Sequence, residues 1–193
     1  MVTGVQTCAL PISWAFKRAS TGEEIAEAFT ALEIQQAERH VDKAGAYTLG
    51  LPRYSAFYRD VLADPSGLAQ IFTLTVDGRV IAALLGIRHD TTFTMLRIAN
   101  GGEAWRHVSP GRLVVIEVMR HFVTQGVKTF DMGIGDYAFK RGFGAVPVPL
   151  VDLVIPVSAR GIPYAAAVHL RARLRRNTVV QTLLHQVRGG RGT

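Results

Sequence analysis

The stretch at 68–100, LAQIFTLTVDGRVIAALLGIRHDTTFTMLRIAN, constrains this chain more than any other. Three runs rich in β-branched and aromatic residues are separated by Val-Asp-Gly and by His-Asp-Thr, whose small or polar residues suit tight turns. Runs joined by such short loops pair with their sequence neighbours, so the stretch predicts a three-stranded antiparallel meander. A sheet of that kind has two faces, and the flanking sequence must supply helices to cover them.

Upstream, WAFKRAS (14–20) alternates in part and suits a strand. Thr21 and Glu24 then stand in capping-box spacing ahead of Ile25, Ala28, Phe29, Leu32 and Ala37, which recur every three or four residues and predict a helix to about Lys43. AGAYTLGLP breaks it. RYSAFYRDVLAD predicts a second helix, ended by Asp64-Pro65-Ser66-Gly67. Downstream, SPGRLVVIEVMRHFVTQG carries Pro at an opening helical position, an apolar stripe through Leu113, Ile116 and Val123, and Gly126 as its stop. VKTFDMG predicts a short buried strand, DYAFKRGFG a helix of one or two turns, and VPLVDLVIPV a further strand. The expected order is β-α-α-β-β-β-α-β-α-β, a mixed α/β (α+β) arrangement with a central sheet flanked by helices.

The first thirteen residues stand apart. Back-translated with ordinary codons, Val2–Ile12 resembles a sequencing-library adapter read as protein, so 1–13 is expected to be non-native and native sequence to begin near Trp14. The single cysteine, Cys8, lies in that segment. Without it no disulfide, thiolate nucleophile or cysteine metal site is available, and a reducing, cytoplasmic compartment is the expectation.

Of the 193 residues 48% are hydrophobic and 19% charged, which suits one globular domain with a substantial core. The net charge of +7 is unevenly placed: after Asp152 there are seven arginines and no acid, whereas 1–152 is balanced. The expected division is an adapter-derived segment at 1–13, a domain at 14–158 and a basic helical tail at 159–193. A basic tail of this kind suits peripheral contact with an anionic inner membrane face, or with tRNA, and equally a solvated helix face.

SPGRLVVIEVMRHFVTQGVKTFDMGIGDYAFKRGFGA (109–145) resembles the Ser-Pro-Gly helix, Asp-Phe strand and Tyr-x-x-Lys-x-x-x-Gly run of CelD/BcsL-type acetyltransferases. These belong to the GNAT superfamily and are associated with cellulose and exopolysaccharide biosynthesis. The meander fits the same pattern, and the resemblance runs from about Trp14 to Val157. It implies a GNAT acyl-CoA N-acyltransferase fold and acetyl-CoA or another acyl-CoA as co-substrate. The implied acceptor is an amine or hydroxyl of a polysaccharide precursor or related envelope component. Family members usually carry further sequence before this region, so an N-terminal truncation is expected.

The resemblance also implies a site. Ser109, Pro110, Gly111 and Arg112 would receive the pyrophosphate. The first turn of a helix has unpaired amides and a positive dipole end, Gly111 allows close approach, and Arg112 can add a charge-assisted bond. Ser-Pro-Gly is equally an ordinary helix opening, and the loop departs from the Q/R-x-x-G-x-G/A pattern typical of GNAT proteins.

Acyl transfer needs positioned proton donors and acceptors. Asp131, at the end of its strand, is a candidate base or acceptor-orienting group, and equally a turn acid satisfied by nearby amides. Tyr137 is a candidate to protonate the leaving sulfur, Lys140 to face a phosphate or oxyanion, with Asp136 beside them. His107, next to Trp105 and Arg106, is a possible base or an exposed loop residue. No HExxH, G-x-S-x-G or Walker loop is present, so nothing points to a metal, a serine esterase or an NTPase. Two alternatives stay open. Phe139-Lys140-x-x-Phe143-Gly144 also resembles FemAB-like transferases that draw on aminoacyl-tRNA, and the absent Gly-rich loop suits a catalytically silent interaction module.

Overall fold

The computed structural model describes residues 13–40, 47–151 and 153–176. The chain divides after Ala145 into two compact units.

The first unit is built on a five-stranded sheet in the order β1-β2-β3-β4-β5. β1 (Trp14–Arg18), β2 (Ala69–Val76), β3 (Arg79–His89) and β4 (Thr92–Asn100) pair antiparallel, and β5 (Thr129–Asp131) joins β4 in parallel. The expected meander is therefore present. Its first turn, Asp77-Gly78, has positive φ at both residues, 48° and 77°, the conformation that lets a two-residue loop follow the twist of its strands.

Helix α1 (Gly22–His40) opens with the expected capping box. The Glu24 carboxylate accepts the Ser20 and Thr21 amides at 2.8 and 3.3 Å, and the Glu24 amide donates to Thr21 Oγ1 at 3.2 Å. A single 3-10 turn at Thr48–Gly50 leads into α2 (Pro52–Ala63). Together they cover one sheet face, where Phe29, Leu32, Leu49 and Leu62 bury against Ile71, Ala83, Leu85 and Ala99. Two glutamines lie in this interface. Gln35 donates to the Val80 carbonyl at 2.8 Å and Gln36 to that of Ile98 at 3.0 Å, fastening α1 to β3 and β4.

Helix α3 (Pro110–Val123) covers the other face. Its buried side is Val114, Val115, Val118 and Phe122, packed on Phe72, Leu74, Leu84 and Phe93. The expected stripe is thus rotated. Leu113 and Ile116 are only half-buried and Val123 is exposed, because the chain is apolar around most of the helix and periodicity alone leaves the inward side open. Phe72, Phe93 and Phe122 form an aromatic knot with centroids 4.4–6.0 Å apart, geometry worth about 0.5–1.5 kcal/mol per pair beyond area burial.

Two further expectations are corrected. β5 was expected to be buried, yet Thr129 and Asp131 are exposed and only Phe130 is half-buried, since the strand touches β4 along three residues. VPLVDLVIPV was expected to be a strand, and its described residues form none. Pro147, Pro149 and Pro156 have no amide to donate to a ladder. Val148, Val151 and Leu153 lie exposed. The second unit, from Val146, otherwise contains a 3-10 turn at Ala159–Gly161 and α5 (Ile162–Arg176). Arg171 and Arg173 are exposed on α5, while Leu183, Leu184 and Val187 of the expected tail helix lie outside the described residues.

Candidate functional site

β4 does not keep one register along its length. Leu85 pairs with Arg97 and Gly86 with Met95, which leaves Leu96 as an extra residue in a β-bulge. A bulge bends its strand and reverses which face the following side chains meet. Before it, Phe93 and Met95 belong to the core under α3; after it, Ala99 belongs to the core under α1 and α2. The bend also parts β4 from β5. Their pairing stops at Thr94 and Asp131, so from Leu96 onward the β5 side of β4 has no strand beside it among the described residues.

The start of α3 lies close to the end of β4. A Cβ on Gly111 would sit 2.9 Å from Asn100 Nδ2, so the missing side chain is what admits Asn100 to the helix start. Ser109 precedes the helix in the left-handed region, φ 50° and ψ 56°, and its hydroxyl makes no capping bond. Capping serines normally sit in the β region and use that hydroxyl. The Ser109 carbonyl accepts the Arg112 and Leu113 amides at 2.9 and 3.2 Å; Pro110 has no amide, and among the described residues that of Gly111 makes no backbone hydrogen bond. Among the described residues the helix therefore opens with an uncapped donor, a serine hydroxyl that makes no capping bond and an exposed Arg112, whose guanidinium lies 5.5 Å from the centre of the Phe143 ring. These are groups that fit a phosphate.

The loop after β5 gathers the other candidates around one turn. Asp131 is exposed and its Oδ1 accepts the Gly133 amide at 2.7 Å, closing an Asx turn that uses one of its two oxygens. α4 (Ala138–Arg141) follows. From it Lys140 turns inward: the residue is only 7% exposed, and its ammonium donates to the Gly133 and Ile134 carbonyls at 2.7 and 2.9 Å. The same ammonium lies 5.3 Å from the centre of the Tyr137 ring, which is itself exposed. The structure thus brings Asp131, Tyr137 and Lys140 to a common turn, and α3 meets the end of that segment through Arg112 and Phe143. The expectation that Lys140 faces a phosphate or oxyanion is not what the geometry shows, because two of its three donors hold the chain. Asp136 pairs with Arg141 at 2.5 Å on the surface, and His107, in a 3-10 turn at Glu103–Val108, is exposed.

Three residues at this place escaped the sequence reading. Leu96 is the bulge, and its signal was Gly86 within an apolar strand run, a position where a Cβ would lie 2.2 Å from Phe93 Cζ and 2.6 Å from the Thr94 carbonyl. Asn100 carries no local signal. Arg97 follows the bulge and turns toward α2, where Nε donates to Tyr58 Oη at 3.2 Å and Nη2 to Thr48 Oγ1 at 3.3 Å. No group of three His, Cys, Asp or Glu among the described residues is arranged to hold a metal ion. Nor is any described helix long and apolar enough to cross a membrane.

A mixed sheet whose parallel pair parts beside a helix start, with helices on both faces, defines the GNAT fold, an acyl-transferring class of enzyme. Residues 10–141 match the acetyltransferase (GNAT) domain family, and the chain belongs to it. No curated protein matches the chain as a relative. Among solved structures it resembles an aminoglycoside acetyltransferase from an uncultured soil metagenomic sample, in complex with trehalose. That likeness has a TM-score of 0.52 and 9% identity, over 75% of this chain and 97% of the other. It also resembles a protein of Pyrococcus furiosus assigned as an acetyl transferase, with a TM-score of 0.52 and 14% identity, over 75% of this chain and all (100%) of the other. At such identities the likeness is one of fold.

Proposed function

We propose that this domain transfers an acyl group, acetyl above all, from acyl-CoA to an amine or hydroxyl of a polysaccharide precursor or another sugar-like, envelope-related acceptor. The observation that carries the donor assignment is the start of α3. A 14-residue helix opens there on a Gly111 amide uncapped among the described residues, with a Ser109 hydroxyl that makes no capping bond and Arg112 exposed beside them. Amides and dipole favour an anion at that place, and a guanidinium adds a charge-assisted bond. Ser109, Pro110, Gly111 and Arg112 would together hold the pyrophosphate. The acceptor assignment rests on the resemblance of 109–145 to CelD/BcsL-type enzymes.

Bound acyl-CoA would supply the acyl group already activated as a thioester. The chain's own residues have two tasks. Transfer requires the acceptor to lose a proton and the leaving sulfur to gain one. Asp131 keeps one carboxylate oxygen outside its Asx turn and is the group that would take or orient the acceptor proton. Tyr137, exposed at the same turn with the Lys140 ammonium against its ring, is the hydroxyl that would return one. Lys140 positions both by fixing the turn to which they are attached. The open β5 side of β4 beyond Leu96 offers backbone donors and acceptors for an extended arm.

Calorimetry with acetyl-CoA on the 193-residue chain tests the reading. Saturable binding that weakens on Arg112→Ala is the expected result. Absence of binding at millimolar acetyl-CoA would overturn it.

A further inference from the structure

Arg97 stands out on the sheet face covered by α1 and α2. It is partly buried, lies immediately after the bulge, and among the described residues makes no ion pair. The partners the fold gives it are neutral hydroxyls, Tyr58 Oη at 3.2 Å and Thr48 Oγ1 at 3.3 Å, and the Tyr58 ring, whose centre lies 5.3 Å from Cζ. A guanidinium has five N–H donors, so among the described residues two hydrogen bonds leave three without a partner, the Nη1 pair among them. Glu33, the carboxylate that α1 presents to this cluster, is already engaged by Arg59 and by the Ser55 hydroxyl. The charge is felt nearby: at the Tyr47 phenol, burial and then Glu33 raise the pKa while Arg97 opposes them.

A half-buried cation held by neutral partners is a costly arrangement unless an anion completes it. The cost is explained if the anion arrives with a substrate. Arg97 is adjacent to the bulge where β4 leaves β5, so whatever it holds is brought beside the parting strands.

We propose that Arg97, braced by Tyr58 and Thr48, reads a carboxylate or phosphate carried by the acceptor, and so makes this an acetyltransferase for anionic amines or alcohols. The inference rests on the acyl-transfer reading above and narrows its acceptor. The planar fork of the guanidinium suits either anion bidentately, which a lysine could not reproduce.

The test uses matched small acceptors: ethanolamine against O-phosphoethanolamine for the phosphate arm, glycinamide against glycine for the carboxylate arm. Acetylation of each pair is followed in wild type, Arg97→Met and Arg97→Lys. In wild type at least one anionic member is preferred by about ten- to a hundredfold in kcat/KM, as expected of a charge-assisted contact. Arg97→Met abolishes that preference through KM, and Arg97→Lys restores only part. Equal use of charged and neutral members in wild type, or a preference that survives in Arg97→Met, overturns the inference.

Binding is read separately by NMR on the labelled chain titrated with O-phosphoethanolamine and with glycine. Saturable shifts at the amides of Thr48, Tyr58 and Arg97, lost in Arg97→Met, support the site even if acetyl-CoA fails to bind; in that case the donor assignment alone falls. If Arg97→Met does not fold, Tyr58→Phe takes its place, with a smaller loss of the same preference expected and an unchanged preference counting against the site.

Discussion

Lys140 Nζ donates to the Gly133 carbonyl at 2.7 Å, reaching back seven residues to the turn that follows β5. With the second bond, to Ile134 at 2.9 Å, it makes a largely buried ammonium the clasp of the loop that bears Asp131 and Tyr137. Lys140→Met should therefore destabilise the fold by about 1–3 kcal/mol, the range for losing hydrogen bonds to a charged group. Urea unfolding measures this. A variant as stable as wild type, with weakened acetyl-CoA binding alone, would show instead that the ammonium serves the ligand.

Gly111 and Arg112 separate binding from folding. Gly111→Ala places a Cβ 2.9 Å from Asn100 Nδ2, the far end of a side chain that can move, and alanine is the better helix former by about 1 kcal/mol. Stability should therefore change little. Acetyl-CoA affinity should fall several-fold, and by about tenfold in Arg112→Ala, where a charge-assisted bond is lost. Thermal melts and calorimetry on the same samples check both halves.

Gly86→Ala should be among the most damaging small changes in the sheet. The new methyl would meet the Phe93 ring at 2.2 Å and the Thr94 carbonyl at 2.6 Å, and neither can withdraw without moving the aromatic knot or the ladder. Overpacking of this kind costs about 1–3 kcal/mol or more. Gly22→Ala, with nothing within 4 Å and an ordinary helical backbone, serves as its control. A urea midpoint for Gly86→Ala equal to that of the control would contradict the bulge geometry.

Acid should weaken the fold in two stages. Hydrogen bonds from Lys17, then from Ser20 and Thr21, lower the Glu24 pKa from 4.5 to about 2. A lowered carboxylate stabilises the fold fully above its unfolded value, and that contribution disappears as pH falls from about 4.5 toward 2. Burial, then the nearby Arg18 and Arg88, hold His121 below its ordinary 6.5. The fold thus disfavours the protonated imidazole, so the His121 contribution is complete above about pH 6.5 and erodes as pH falls below it. Glu24→Gln should flatten the lower stage and His121→Phe the upper one in urea midpoints taken across pH. A side-chain NMR titration of Glu24 centred near 4.5 would contradict the first assignment.

What the amino-acid sequence determined by itself is whatever depends on residues a few positions apart. The Thr21–Glu24 box, the Asp77-Gly78 turn, the meander and the opening and stop of α3 are local events, and each was legible. Because short turns leave the meander little choice of pairing, the order of β2, β3 and β4 followed as well. Tertiary structure decided the rest. Which side of α3 faces inward depends on the sheet beneath it, and the bulge at Leu96 reverses the facing of Arg97 and Ala99 through pairing with β3. Whether 148–157 becomes a strand depends on a partner edge that its prolines could accept. The ends of long side chains were the least legible of all, since Lys140 finds its carbonyls and Arg97 its hydroxyls only after separate parts of the chain have been packed together.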